Sequence, residues 1–156
     1  MSEVADNIKI AQAKMEAICS RREYCCADIR EKLRRYLLSE EAVEEIISSL
    51  KSNRYLDDSR YAAAYARDKS SLAGWGARKI EFALRRKGVA SEVIREALCD
   101  IDKEKISERM QEVVLRKWQS LSKEEDVEKR RIKTIKFALG RGYSYDDVYA
   151  YVRSLK

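Results

Sequence analysis

The 156-residue sequence has no histidine, no proline, only five glycines and no long apolar run. Without histidine, the chain lacks the commonest general base and the commonest metal ligand of proteins. Without proline, and with so little glycine, few positions interrupt a helix. The missing apolar run excludes a membrane-spanning helix, and the first residues do not have the pattern of a signal peptide. These absences predict a mostly helical, cytoplasmic protein.

The residue types that do occur offer little for catalysis or metal binding. Cys19, Cys25 and Cys26 lack the spacing and the fourth ligand of a closed zinc site. We interpret these three as buried or partly buried thiols, and the four cysteines together, with Cys99, as thiols of a reducing compartment. The pair at residues 57 and 58 could bind a metal, but a helix cap is the favoured interpretation of two adjacent aspartates. No glycine-rich phosphate loop occurs. We expect no enzyme activity, no metal and no cofactor.

A short apolar pattern, Ile-x3-Leu, occurs three times, beginning at residues 29, 80 and 135. Similar apolar residues follow each leucine at equal distances, and the three frames are 51 and 55 residues apart. Repeats of this length are typical of helical units that cannot bury their apolar faces alone and therefore stack on one another. The pattern also predicts that Leu33, Leu84 and Leu139 are buried at equivalent positions.

The predicted fold class is all-α, with three tandem three-helix repeats forming an elongated, curved array. The predicted boundaries are 1–52, 53–104 and 105–156. A unit of about 50 residues has a small core, so the three units must support one another. Arrays of this kind present a long surface to a partner, which favours a binding protein over an enzyme with a pocket.

Positive charge increases along the chain. Basic and acidic side chains number 9 and 10 in residues 1–52, 11 and 9 in residues 53–104, and 13 and 8 in residues 105–156. The net charge of +6 and the pI near 9.1 suggest a polyanionic partner. The strongest positive potential is therefore expected on the third repeat.

Basic residues follow the repeated leucine at matching places in all three repeats. They are Arg34 and Arg35 in the first repeat, Arg85, Arg86 and Lys87 in the second, and Arg141 in the third. Two interpretations stay open, because cations at a helix C-terminus also stabilise the helix dipole. We include all six residues in the candidate partner-binding surface.

A second basic group occupies the helix before Arg141. Residues 129–141 contain six cations and no acid. Helix solubility does not require such a run, so binding to phosphate or to an acidic protein groove is favoured. Ile132, Ile135 and Leu139 are predicted to face inward, which would leave the cations in solvent. These further candidate residues are Lys129, Arg130, Arg131, Lys133 and Lys136.

Aromatic residues add one more candidate. Most tyrosines, among them Tyr61, Tyr65 and Tyr149, lie on or beside apolar stripes and are predicted to be core. Trp75 lies between two glycines in a loop and is the aromatic residue most expected to be exposed. Packing against the neighbouring helix is the equal alternative for Trp75.

The order and spacing of several motifs resemble the RecX regulatory proteins. The motifs are Ser20-Arg21-Arg22-Glu23-Tyr24, Tyr55-Leu56-Asp57-Asp58-x-Arg60-Tyr61-Ala62, Gly74-Trp75-Gly76-x2-Lys79-Ile80-x3-Leu84 and Lys87-Gly88-Val89. Each motif alone is weak, but their joint order is specific and covers residues 8–156. Cys25, Ala77 and Ala90 depart from the Ser, Pro and Asp that are frequent in the family, which affects local helix stability.

The resemblance implies tandem three-helix repeats that bind the RecA filament on single-stranded DNA. It implies modulation, usually inhibition, of recombinase and coprotease activity, with ATP turnover affected through RecA. Contact with RecA and direct contact with single-stranded DNA both stay open as the means of docking. The family has no fixed catalytic residues, so our candidate positions rest on charge. We expect a monomer without membrane contact. The alternative function is a stand-alone nucleic-acid-binding module, which would bind DNA or RNA without RecA and with a steep salt dependence.

Overall fold

The computed structural model describes residues 2–156 and contains, over that range, nine α-helices and no β-strand. The helices are α1 Ser2–Cys19, α2 Cys26–Leu33, α3 Glu40–Ser52, α4 Asp58–Ser71, α5 Ala77–Arg86, α6 Ser91–Cys99, α7 Lys103–Ser120, α8 Val127–Gly140 and α9 Tyr145–Arg153. A 3-10 turn, Arg34–Tyr36, extends α2. The all-α class is confirmed.

The helices form three groups of three, which we call unit 1 (α1–α3), unit 2 (α4–α6) and unit 3 (α7–α9). Each unit has its own apolar core. The cores interlock, because Leu56 lies before α4 but packs in the core of unit 1, and Cys25 lies before α2 but packs in that of unit 2. The boundaries at 52/53 and 104/105 stay a prediction.

Polar side chains begin most of the helices, as the sequence predicted. The Asp57 carboxylate accepts hydrogen bonds from the backbone N–H groups of Ser59 and Arg60 at 2.8 and 3.2 Å. Ser39 caps α3 and Ser144 caps α9 in the same manner. These contacts satisfy backbone donors that have no partner within the helix. The interpretation of Asp57 as a cap rather than a metal ligand therefore agrees with its geometry.

The second helix of every unit is followed by a residue in the left-handed conformation. These residues are Leu37, Gly88 and Gly142, with φ angles of 53°, 77° and 93°. Their spacing makes units 1 and 2 equivalent at an offset of 51 residues, and units 2 and 3 at an offset of 54 residues. The predicted offset of 55 residues for unit 3 is thus one residue too long.

That single residue changes the inward face of α8. Thr134 and Ala138 are fully buried, whereas Ile132 is 50% and Leu139 37% exposed. The predicted equivalence of Leu139 with Leu33 and Leu84 is therefore wrong, as is the inward orientation of Ile132. Ile135 was placed correctly against the core. A shift of one residue turns a helix face by about 100°.

The physical reason for the shift lies in the volume of the facing helix. In unit 2, α4 presents Ala62 and Ala66, and the large Ile80 and Leu84 of α5 fill the space. Unit 3 reverses this arrangement: α7 presents the large residues and α8 the small ones. The buried side chains on α7 are Met110, Val114 and Trp118, and those on α8 are Thr134 and Ala138. Close packing conserves the total volume, not the residue at each position.

One smaller prediction about burial is also wrong. Tyr149 is exposed and stacks on Tyr145, with ring centroids 5.6 Å apart. Cys99, at the end of α6, is exposed. Cys19 and Cys25 are buried, and Cys26 is half-buried, as predicted.

The same contact joins each unit to the next. The residue before the second helix of one unit packs against the end of the second helix in the following unit. At joint 1, between units 1 and 2, the Cys25 Sγ lies 4.0 Å from the Lys87 carbonyl oxygen. At joint 2, between units 2 and 3, the Gly76 N–H donates to the Arg141 carbonyl oxygen at 2.7 Å. The pairs correspond at the offsets of 51 and 54 residues.

Stacking in one direction produces an extended molecule. The accessible surface is 10536 Å². A compact protein of 18.2 kDa would expose about 8,100 Å². The excess agrees with the predicted elongated array, in which each unit is covered only by its neighbours in the chain.

Candidate partner-binding surface

Two of the predicted basic residues hold the joints together. The Lys87 ammonium lies 2.8 Å from the Asp28 carboxylate across joint 1. Burial opposes ionisation of Asp28, but the hydrogen bonds from Lys87 and Cys25 outweigh it, so the pKa of Asp28 is lowered. At joint 2 the Arg141 guanidinium donates to the Ala73 carbonyl oxygen at 2.8 Å. Both residues therefore have a structural role that the sequence did not indicate.

Arg130 is also part of the structure of unit 3. Its guanidinium lies 3.9 Å above the Trp118 ring and donates twice to the Trp118 carbonyl oxygen, at 3.0 and 2.7 Å. Arg131, its neighbour, is half-buried and pairs with Glu128 at 2.7 Å. The expectation that Arg130 and Arg131 project mainly to solvent is wrong, because α8 is turned by one residue, which brings Arg130 onto Trp118 of α7 and leaves Arg131 half-buried.

Replacing Arg130 by alanine is expected to lower the free energy of unfolding by about 1–3 kcal/mol, because a partly buried cation–π contact and charge-assisted hydrogen bonds are lost. Lys129→Ala is the matched control, since Lys129 is exposed on the same helix and should change stability by less than about 0.5 kcal/mol. Urea denaturation measures both variants. Equal stabilities would contradict a structural role for Arg130.

The remaining basic candidates are exposed. Some are engaged in weak surface pairs: Arg34 with Glu31, Arg85 with Glu81, and Lys133 with Glu124. Such pairs contribute little to stability, and a partner can displace them at low cost. Arg35 and Arg86 lie near aromatic rings, over Tyr36 and Phe82. Lys129 and Lys136 form no ion pair within residues 3–156, so they are the most available cations of α8.

Trp75 is half-buried and lies between two cations. The ammonium groups of Lys69 and Lys79 are 4.7 and 4.4 Å from its ring centroids. An edge of the indole meets Tyr65, with centroids 6.4 Å apart. Of the two alternatives for Trp75, packing against the neighbouring helix describes it better, although one part of the ring stays accessible.

A cleft of about 790 Å³ lies between units 1 and 2. Three tyrosines line it together with four cations and four acids, and three of the cations lie over a tyrosine ring; the tyrosines are Tyr24, Tyr61 and Tyr65. Arg22 and Lys32 are 4.7 and 5.2 Å from the Tyr24 ring centroid. Aromatic rings beside cations are the combination that single-stranded nucleic acids prefer.

Sequence reasoning missed the cations of this cleft. Arg22 is two residues before Tyr24, and Lys69 is four residues after Tyr65, so the signal was a cation near an aromatic residue in each case. These cations do not form a dense basic run. They come from separate segments of units 1 and 2, and only the joint between the units brings them together.

No helix among residues 2–156 combines the length and apolar character that crossing a membrane requires.

Comparison with protein families gives two adjacent matches. The second three-helix domain of RecX matches residues 57–98, and the third three-helix domain of RecX matches residues 104–152. Together these matches cover more than half of the chain. They correspond to the helices of units 2 and 3.

Comparison with curated proteins gives relatives described as regulatory protein RecX. The protein of Clostridium botulinum is 39% identical over 119 residues, which are 76% of this chain and 55% of the relative. That of Clostridium acetobutylicum is 35% identical over 124 residues, or 78% of this chain and 57% of the relative. The chain thus spans little more than half the length of these relatives.

Two solved structures have the same fold. A crystal structure of a regulatory protein RecX superposes with a TM-score of 0.87 and 26% identity, covering 98% of this chain and 74% of the other. The crystal structure of RecX from Lactobacillus salivarius superposes with a TM-score of 0.84 over 97% of both chains. At 22% sequence identity, the similarity to this second structure shows the fold alone.

Proposed function

Because this chain belongs to the RecX family, we propose that it binds the RecA filament on single-stranded DNA and lowers its recombinase, ATPase and coprotease activities. The observation that carries the proposal is the stacked array of three units, with net positive charge on the second and third, in a member of a regulatory family. The proposed partner implies a cytoplasmic location. The regulator would act as a monomer.

The extended shape supports binding along a helical groove. Each unit offers a few exposed cations, so each contact with the filament would be weak. Joined units make the later contacts intramolecular, and the effective concentration then multiplies their affinities. A ligand seated in this manner would occlude the groove that duplex DNA or a repressor must enter, or would stop the filament from extending.

The direct test is a titration of the purified protein into RecA-driven strand exchange and RecA ATP hydrolysis on single-stranded DNA. We expect both reactions to slow in a concentration-dependent manner, because one ligand would occupy the filament in both. Activities unchanged across a wide range of protein concentration would refute the proposal.

Matched charge variants localise the contact within the same test. Lys129→Gln with Lys136→Gln removes two available cations from unit 3, and Arg34→Gln with Arg35→Gln removes two from unit 1, where the net charge is already −1. We expect the first pair to weaken inhibition more than the second. Equal inhibition by both pairs and the parent would show that charge does not dock the protein.

The aromatic cleft between units 1 and 2 favours a second candidate function, binding of single-stranded nucleic acid without RecA. Equal-salt measurements with bare and RecA-coated DNA separate the two. A stand-alone nucleic-acid-binding module binds both bare DNA and RNA with a steep salt dependence. A regulator of the filament binds the coated DNA more tightly.

A further inference from the structure

A recess of about 210 Å³ opens at joint 2, between α7, α8 and the α4–α5 loop. Four of its lining residues are cationic, and none of them is acidic. The cations are Arg109, Arg116, Lys117 and Arg141; Ala73, Val113, Ser120 and Phe137 complete the wall. Three other concavities differ from it: two are lined by both cations and acids, and the third has an acid and no cation.

Two of the four cations have a structural reason to be there. Arg109 donates to the carbonyl oxygens of Ser71 and Leu72, at 3.0 and 3.4 Å, and pairs with Glu112 at 3.2 Å. Arg141 donates one hydrogen bond to the carbonyl oxygen of the adjacent loop residue. These bonds hold both guanidinium groups in place while leaving some of their five N–H donors free.

The other two cations form no hydrogen bond across joint 2 to a described residue. The side chains of Arg116 and Lys117 form no ion pair with any described residue. Lys117 Nζ lies 5.0 Å and Arg141 Cζ 5.2 Å from the centroid of the same Phe137 ring. Arg116, Lys117 and Arg141 converge with no acid in the lining, and like charges repel one another, which disfavours this arrangement. An anion in the recess would remove that repulsion.

We propose that this recess is a phosphate-binding site. Arginine forks and a lysine ammonium around a concave surface match the several acceptor oxygens of a phosphate group. The Phe137 ring gives the ester side of the ligand an apolar surface. The phosphate can come from the backbone of a single-stranded nucleic acid or from a free oligophosphate. The aromatic cleft between units 1 and 2 shares Ala73 with the recess, which favours the nucleic acid.

The inference does not depend on RecA, because the recess is formed by this chain alone. The test variant is Arg116→Gln with Lys117→Gln, which leaves both structural arginines intact. The matched control is Lys9→Gln with Lys14→Gln, an exposed pair on α1 that lies outside the candidate surface and changes the net charge equally. Arg116→Gln alone is a second test variant, since Arg116 is exposed and its replacement leaves the Phe137 contact of Lys117 in place.

Thermal unfolding of the full chain is measured first, with and without sodium pyrophosphate at constant ionic strength. We expect pyrophosphate to raise the Tm of the parent and of the control but not that of the test variants. In phosphate-free buffer of low ionic strength, the test variants should melt at or above the parent, since repulsion is relieved. A merely structural role for Arg116 and Lys117 predicts the opposite sign.

Binding of a labelled oligothymidylate without terminal phosphates is measured second, over a series of salt concentrations. Each lost phosphate contact should lower the slope of log affinity against log salt by about 0.7, and loss of two charge-assisted contacts should lower affinity by at least about a hundredfold at low salt. If the test variants lose oligothymidylate affinity, the phosphate that the recess binds comes from nucleic acid. Loss of the pyrophosphate effect alone identifies free oligophosphate. If the test variants match the control in both assays, the recess is not a phosphate site.

Discussion

Replacing Gly142 by alanine is expected to destabilise the protein by about 2–5 kcal/mol, because left-handed strain and a backbone clash act together. Gly142 has φ +93°, and a Cβ atom there would lie 2.5 Å from both Cβ and the backbone nitrogen of Lys79. The clash cannot be relieved by rotating a side chain. Unit 2 and unit 3 would have to move apart.

The consequence reaches beyond one residue, because joint 2 would lose its backbone hydrogen bonds. Two such bonds cross this joint. The Gly76 N–H donates to the Arg141 carbonyl oxygen at 2.7 Å, and the Arg78 N–H donates to the Gly142 carbonyl oxygen at 3.2 Å. Gly76→Ala should act in the same direction, since its Cβ would meet the Gly142 backbone at 2.4 Å.

Gly140→Ala provides the control, two residues away. Nothing lies within 4 Å of a Cβ atom at Gly140, which ends α8. Alanine is favoured over glycine in a helix by about 1 kcal/mol, so this variant should be as stable as the parent or more so. Urea denaturation followed by circular dichroism measures all three. A Gly142→Ala variant as stable as Gly140→Ala would show that joint 2 is not packed as described.

Leu84→Ala should cost about 2–5 kcal/mol, because it removes a fully buried side chain and leaves a cavity between α4 and α5. Leu139→Ala should cost less than about 1 kcal/mol, since Leu139 is 37% exposed and lies outside the core of unit 3. The Ile-x3-Leu pattern alone predicts equal costs for the two substitutions.

Comparison of the two variants by chemical denaturation therefore tests the packing of α8. Ala138→Leu adds the converse measurement: overpacking a fully buried alanine should destabilise by about 1–3 kcal/mol. Equal losses for Leu84→Ala and Leu139→Ala would restore the offset of 55 residues and overturn the observed orientation of α8.

Local signals were sufficient to predict the helices and their ends. Ser39, Asp57 and Ser144 supply side-chain oxygens to backbone donors within three residues, so their effect can be deduced from neighbours in the chain. Gly88 and Gly142 end their helices because glycine tolerates the left-handed conformation. The repeat of three units follows from periodicity and needs no distant contact.

The candidate surface was predicted only in part, because charge in the sequence does not tell whether a cation is available. Three candidate cations have structural contacts within the chain. Lys87 stabilises joint 1, Arg130 packs on the Trp118 ring, and Arg141 stabilises joint 2. Arg116 and Lys117 gave no signal as a basic run, yet they converge with two other arginines in one recess.

The sequence by itself determined the all-helical class, the caps and the three-unit repeat, since each depends on residues close together in the chain. Only tertiary structure decided which face of α8 is buried and which cations stay free. Trp118 and Met110 fill the volume that Ile80 and Leu84 fill in unit 2, so Thr134 and Ala138 turn inward and carry Arg130 with them. Close packing fixes the summed volume of the side chains on two facing helices. The sequence pattern of one helix gives no information about the size of the side chains that face it, so it cannot predict which of its own faces is buried.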